Sequence, residues 1–196
     1  TIPNIIMVLS RSVGLVTIRA YVEFSSQYTR CPLQDTQSYQ PAWGGFVTSL
    51  GAVILAAGRG QRMHSDTPKV LHKLAGMSML DYVLKAVLSV GPDRTALVVN
   101  PSIQPHLAYI DEVIEVLEQP SPTGTGAAVK IAELFFKDEV DHLLVIGSDC
   151  PLITSNSLQR LIEFHIKGDT CISLLSSSLC PSEDMGSIAR DSNGTI

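Results

Sequence analysis

Five short apolar runs, separated by loops marked with glycine or proline and by three segments of helical period, limit what this chain can fold into. The runs are AVILAA (52–57), TALVVN (95–100), VIEVLEQ (113–119), HLLVIGSD (142–149) and TCISLLSSS (170–178). Continuous apolar runs of this length suit strands covered on both faces. Between them, SMLDYVLKAVLSVG (78–91), AAVKIAELFF (127–136) and SNSLQRLIEFHIKG (155–168) carry apolar residues at helical spacing. The first of these stops at Gly91-Pro92, a helix-ending pair. Alternation of this kind predicts an α/β domain with a mainly parallel sheet flanked by helices. Ligands on such sheets sit at the carboxyl ends of the strands.

Composition narrows the class of partner. At 196 residues the chain can bury one substantial core, and 45 % hydrophobic against 17 % charged residues argues against global disorder. A net charge of −5 with no basic block excludes a nucleic-acid footprint, so a bound polyanion is expected to be small and to meet a local positive site. No stretch reaches the roughly 20 apolar residues of a membrane span. The opening IIMVLSRSVGLVTI is interrupted by Ser10, Arg11 and Ser12 and lacks the layout of a signal peptide. Cys31, Cys150, Cys171 and Cys180 are scattered, with no C-x-x-C pair, which predicts reduced thiols and a cytoplasmic setting. Residues 1–49 include a turn-rich tract, SSQYTRCPLQDTQSYQPAWGG, and read as an N-terminal extension of unknown role; the functional domain is expected over 50–196.

Three loops fall at strand ends. Gly58-Arg59-Gly60-Gln61-Arg62 follows AVILAA. Its glycines permit positive φ and close backbone approach, and consecutive N–H groups there form an anion-binding concavity. Arg62 and Lys69 would add positive charge. The alternative is an ordinary strand-exit turn with solvated arginines. The spacing is neither G-x-G-x-x-G, since Met63 stands at the third glycine, nor a P-loop, since no G-K-[ST] follows. Thr123-Gly124-Thr125-Gly126 precedes a helix, whose free N–H groups suit an acceptor unless a threonine side chain caps them. Asp149, in Gly147-Ser148-Asp149-Cys150-Pro151-Leu152, either closes a turn before proline or holds Mg²⁺ together with substrate phosphates. Taken together the loops suit a nucleoside triphosphate with magnesium. Transfer of a nucleotidyl group needs positioning and charge stabilisation more than a protein nucleophile.

The stretch LAAGRGQRMHSDTPKVLHKLAGMSML resembles the start of the sugar-1-phosphate nucleotidyltransferases: L-A-A-G-x-G-x-R-M, then P-K-V-L-H-x-L-A-G and M-L. Gln119 before T-G-T-G, then G-S-D-C-P-L-I and S-L-Q-R-L-I, keep the order of that family. The resemblance covers roughly residues 52–196 and is most specific at P-K-V-L-H. It implies a Rossmann-like nucleotide-diphospho-sugar transferase fold, incomplete at its C-terminus, and transfer of UMP from UTP to N-acetylglucosamine 1-phosphate. It further implies that the backbone at Leu55, Ala56, Ala57 and Gly58 lies against the nucleotide, and that Arg62 and Lys69 act on the triphosphate. Gln119, Gly124 and Thr125 would recognise the base, Asp149 would bind Mg²⁺, and Gly186 would contact the sugar. An oligomer is expected only with a C-terminal helix domain of the kind found in the family.

Several positions depart from the family pattern. Gln61 stands where threonine is usual, Pro122-Thr123 where Gln-Leu is usual, and Gly147-Ser148 replaces Tyr-Gly before the aspartate. Asp184-Met185-Gly186-Ser187 replaces G-Y-G-R on the sugar side. Two other readings therefore stand beside the first: a nucleotidyltransferase with a molybdopterin or methylerythritol phosphate acceptor, and a nucleotide-binding remnant without turnover. His72 reads as structural, and His64, His106, His142 and His165 show no metal-ligand spacing.

Overall fold

The computed structural model describes residues 4–8, 48–58, 60, 63–121, 124–168 and 171–175. Six strands form one sheet: β1 (Asn4–Val8), β2 (Leu50–Ala56), β5 (Arg94–Val99), β6 (Ile114–Glu118), β7 (His142–Gly147) and β8 (Ile172–Leu175). A small antiparallel pair, β3 (Lys73–Leu74) with β4 (Met77–Ser78), stands apart from it. The helices are α1 (Met79–Leu88), α2 (Thr125–Phe136) and α3 (Ser155–Lys167). The sheet order is β6-β5-β2-β7-β1-β8, and every described pairing in it is parallel. The expected α/β architecture is therefore present, with each of the five predicted strands and three predicted helices in place.

Period-two alternation divides the core between two faces. Ala52, Ile54 and Ala56 of β2 join Leu97, Val99, Leu144 and Ile146 on the face covered by α1 and α3. Val53 and Ala57 join Ala96, Val98, Leu143 and Val145 on the face covered by α2, where Phe136 is fully buried. A Cβ on Gly51 would lie 2.7 Å from the Phe136 ring, so glycine there lets the helix end seat against the strand. The start of α1 is set by a capping box between Ser78 and Asp81, and that of α3 by the Thr154 hydroxyl accepting from the Ser157 N–H. Among the described residues no helix is long and apolar enough to cross a membrane.

β1 is the element that the sequence pattern does not announce. The connection from β7 through α3 to β8 skips one sheet position, and Asn4–Val8 fills it, pairing with β7 on one side and β8 on the other. Ile6 and Val8 point into one core layer, Ile5 and Met7 into the other. The first described residues of the stretch read as an extension are thus part of the sheet.

At the amino end of β7 lies a buried polar chain. His165 Nδ1 sits 2.9 Å from Ser173 Oγ, and His165 Nε2 sits 3.1 Å from His142 Nδ1. All three residues are buried. Burial, and then the neighbouring His142, push the His165 pKa down to about 4; burial lowers that of His142 as well. Unfolded histidine titrates near pH 6.5. Below that pH the unfolded chain binds protons that the folded chain refuses, so stability falls with pH from about 6.5 towards about 4. The expected loss from His165 is on the order of 3 kcal/mol. Urea midpoints measured from pH 7 to 4.5 check this, with His165→Gln flattening the slope.

Candidate functional site

From β2 the chain runs to β5 and β6 on one side and, later, to β7 on the other, so the strand order reverses between β2 and β7. A crevice opens outside the carboxyl ends at such a reversal, and ligands bind there. Leu55 pairs with Gly147 across this boundary. The loop after β2 and the turn after β7 therefore emerge side by side.

Buried polar groups fix the strand ends. Ser148, 2 % exposed, donates both its N–H and its hydroxyl to the Leu55 carbonyl, at 3.0 and 2.8 Å. The Asn100 side chain donates to the Ala57 carbonyl at 3.1 Å, and the Gln119 N–H donates to the Val99 carbonyl at 2.7 Å. These bonds hold Ala57 and Gly58, Asp149 and Gln119 on one edge of the sheet. In the sequence Ser148 stands out only as a departure from the family pattern and Asn100 only as the end of a strand, and neither is given a role there. A polar residue closing a buried apolar strand was the available signal.

Lys69 reaches this edge from a short 3₁₀ turn, Lys69–Leu71, that follows Pro68. Its ammonium lies 2.9 Å from Asp149 Oδ2, and the two side chains are 28 % and 14 % exposed. The two residues are 80 positions apart in sequence. Gly60 explains part of the approach. Its φ is +61°, and a Cβ there would stand 2.5 Å from the Lys69 Cβ. Any side chain at position 60 would displace the root of the lysine. The bare backbone at position 60 thus makes room for Lys69.

The adjacent Cys150 thiol is held protonated. Burial, and then the Asp149 charge, push its pKa up to about 11, against a smaller opposing pull from Lys69. A protonated thiol is neither a nucleophile nor a metal ligand. Cys150 is a free thiol. Cys31 and Cys180 lie outside the described residues.

On the other side of the crevice Gln119 is 3 % exposed, and among the described residues its amide makes one long contact, Nε2 to the Gly124 carbonyl at 3.5 Å. It lines an open depression of about 390 Å³ with Pro120, Ser121, Ala127, Lys130 and Ile131. α2 begins at Thr125 rather than at Ala127, and its N-cap is Gly124 at φ +108° with no side-chain cap. Thr125 is the first helical residue and not its cap, and Thr123 lies outside the described residues. Neither Lys69 nor Asp149 lines the depression.

Leu55, Ala56, Ala57, Gly58, Lys69, Gln119, Gly124, Thr125 and Asp149 thus occupy the carboxyl edge of the sheet or the loops leaving it. Arg62 and Gly186, and the departures at Gln61, Pro122-Thr123 and 184–187, lie outside the described residues. Among the described residues no three His, Cys, Asp or Glu side chains gather as a metal-binding group. Asp149 alone fits a cation such as Mg²⁺, which takes one or two carboxylates and completes its shell with phosphate and water. The ammonium already held at its Oδ2 shows that the position favours positive charge.

Comparisons with known proteins bear on the family and the fold. The chain is 39 % identical over 145 residues to the bifunctional protein GlmU of Streptococcus gordonii, a match covering 74 % of this chain and 32 % of the relative. Its identity to the same-named protein of Streptococcus pyogenes serotype M12 is 37 %, covering 74 % of this chain and 35 % of the relative. The chain spans about a third of the length of these curated relatives. Two solved structures share the fold. Rv0371c of Mycobacterium tuberculosis H37Rv has a TM-score of 0.53 at 22 % identity, covering 61 % of each chain. A nucleotidyl transferase from Methanothermobacter thermautotroptrophicus has a TM-score of 0.51 at 24 % identity, covering 59 % of this chain and 57 % of that one. Residues 52–178 match the model of the MobA-like NTP transferase domain, and the chain belongs to that family of nucleotidyltransferases.

Proposed function

We propose that the chain transfers UMP from UTP to N-acetylglucosamine 1-phosphate with Mg²⁺, releasing UDP-N-acetylglucosamine and pyrophosphate. The observation that carries this is the Lys69–Asp149 pair at the β2/β7 reversal, packed against Gly60. The likeness to the GlmU proteins supports the choice of sugar and nucleotide, and a cytoplasmic role in cell-wall precursor synthesis. A phosphate oxygen of the sugar attacks the α-phosphorus of UTP, and the bond to the bridging oxygen of pyrophosphate breaks. Lys69 stabilises charge that develops on the phosphoryl oxygens, joined by Arg62. The backbone at Ala56, Ala57 and Gly58 lies along the nucleotide. The Gln119 amide supplies an acceptor for the uracil N3–H and donors for a ring carbonyl, with Gly124 and Thr125 beside it. Gly186 contacts the sugar. Asp149 would hold Mg²⁺, which would supply neutralisation of phosphate charge.

Asp184-Met185-Gly186-Ser187 in place of G-Y-G-R favours a second reading, in which the acceptor is molybdopterin or methylerythritol phosphate. Pyrophosphate release from the chain with UTP, CTP or GTP, Mg²⁺ and each acceptor in turn separates these. Release that needs both UTP and N-acetylglucosamine 1-phosphate is expected. UTP binding without release for any sugar phosphate would leave a nucleotide-binding remnant and sink the proposal.

A further inference from the structure

Asp149 presents Oδ2 to the Lys69 ammonium at 2.9 Å, in a partly covered setting. The carboxylate suited to a divalent cation thus carries a cation from its own chain, and the lysine suited to phosphate carries an anion. A divalent ion and an ammonium on one carboxylate repel each other, so the two roles compete. A divalent ion at about 2.1 Å from the carboxylate oxygens would stand close to the ammonium, and charges in a partly covered site are poorly screened by salt. The Lys69 root cannot retreat towards the glycine loop, because Gly60 already packs against its Cβ. Only the outer methylenes and the ammonium are able to swing.

We propose that Lys69 is an internal placeholder for the divalent cation. In the free protein its ammonium neutralises Asp149. When metal arrives with a triphosphate, the metal takes the carboxylate and the ammonium moves to the phosphates. The inference rests on the nucleotidyl-transfer reading and adds an order to it: metal alone binds weakly, and metal and nucleotide strengthen one another's binding. Such coupling is reciprocal and commonly amounts to about 5- to 150-fold.

Mn²⁺ is the probe, its free concentration read by electron paramagnetic resonance during titration of the 196-residue chain without nucleotide. Lys69→Met is expected to bind Mn²⁺ about tenfold more tightly than the parent, within the usual range of coupling. Adding Asp149→Asn to that variant removes the gain. Saturating UTP tightens Mn²⁺ binding to the parent chain, and by a smaller factor in Lys69→Met. Lys69→Gln gives the same ordering and guards against a folding defect in the first variant, which thermal melts also monitor. Equal or weaker Mn²⁺ binding by both lysine variants, with UTP-dependent binding still lost in Asp149→Asn, overturns the placeholder and leaves the transfer reading standing. Absence of Mn²⁺ binding to the parent chain even with UTP overturns both.

Discussion

Lys69→Ala lowers kcat for nucleotidyl transfer by about a hundredfold to a thousandfold, the usual loss when one preorganised donor is removed from developing negative charge. The KM for UTP changes by less than about tenfold, because a group acting mainly on the transition state contributes little to ground-state binding. Steady-state pyrophosphate release, with UTP and N-acetylglucosamine 1-phosphate varied separately, resolves the two constants. A loss confined to KM would make Lys69 a ground-state phosphate clamp, and an unchanged kcat would remove it from the chemistry. The same variant is expected to bind metal more tightly while turning over more slowly. A merely structural lysine would not produce opposite changes in these two readouts.

The geometry explains why one lysine bears so much. Its root is pinned by Gly60, its turn begins after Pro68, and its ammonium lies at the one place where the strand order reverses. Glycine at position 60 was legible as a loop residue, and Lys69 as a candidate cation. Their contact was not, because it depends on how the chain between them folds back. The pairing of Lys69 with Asp149 spans 80 residues and is likewise a product of topology. Sequence spacing names the residues; the parallel pairing of β2 with β7 brings them together.

The same distinction runs through the fold. Runs such as HLLVIGSD announce strands because burial on both faces demands continuous apolar residues, whatever their neighbours are. The amphipathic period of SNSLQRLIEFHIKG likewise announces a helix locally, and α3 spans Ser155–Lys167. β3 and β4 are two residues each, too short to carry a period. The segment NIIMV is apolar enough for a strand, yet it precedes a tract with no sustained pattern. Its place exists only because the β7–α3–β8 connection leaves a gap, a fact that no local window contains. The His142–His165 pair escaped for the same reason: their spacing fits no metal motif, and their meeting depends on α3 lying over β7 and β8.

Ile6→Asp is expected to abolish cooperative folding, or to leave a chain that unfolds at far lower urea than the parent. Ile6 is fully buried at the centre of β1, between β7 and β8, so a carboxylate there would be ionised without a partner or neutralised at a large cost. Even Ile6→Ala is expected to cost about 2–5 kcal/mol, a large share of the 5–15 kcal/mol typical of a whole domain. Ile6→Val, which keeps the shape, is expected to cost about 0.5–1.5 kcal/mol. Urea unfolding followed by circular dichroism gives the series, and unchanged midpoints for the alanine and aspartate variants would take Asn4–Val8 out of the sheet. The defect should spread unevenly. Without β1 the edge strand β8 loses its only described sheet partner, whereas β7 still pairs with β2. Amide exchange in Ile6→Ala should therefore rise first in β8 and last at the β2–β7 boundary. Because that boundary carries Leu55, Gly147 and the turn to Asp149, UTP binding should outlast the stability of the far edge. Simultaneous loss of both would mean that the crevice and the β1 slot form a single cooperative unit.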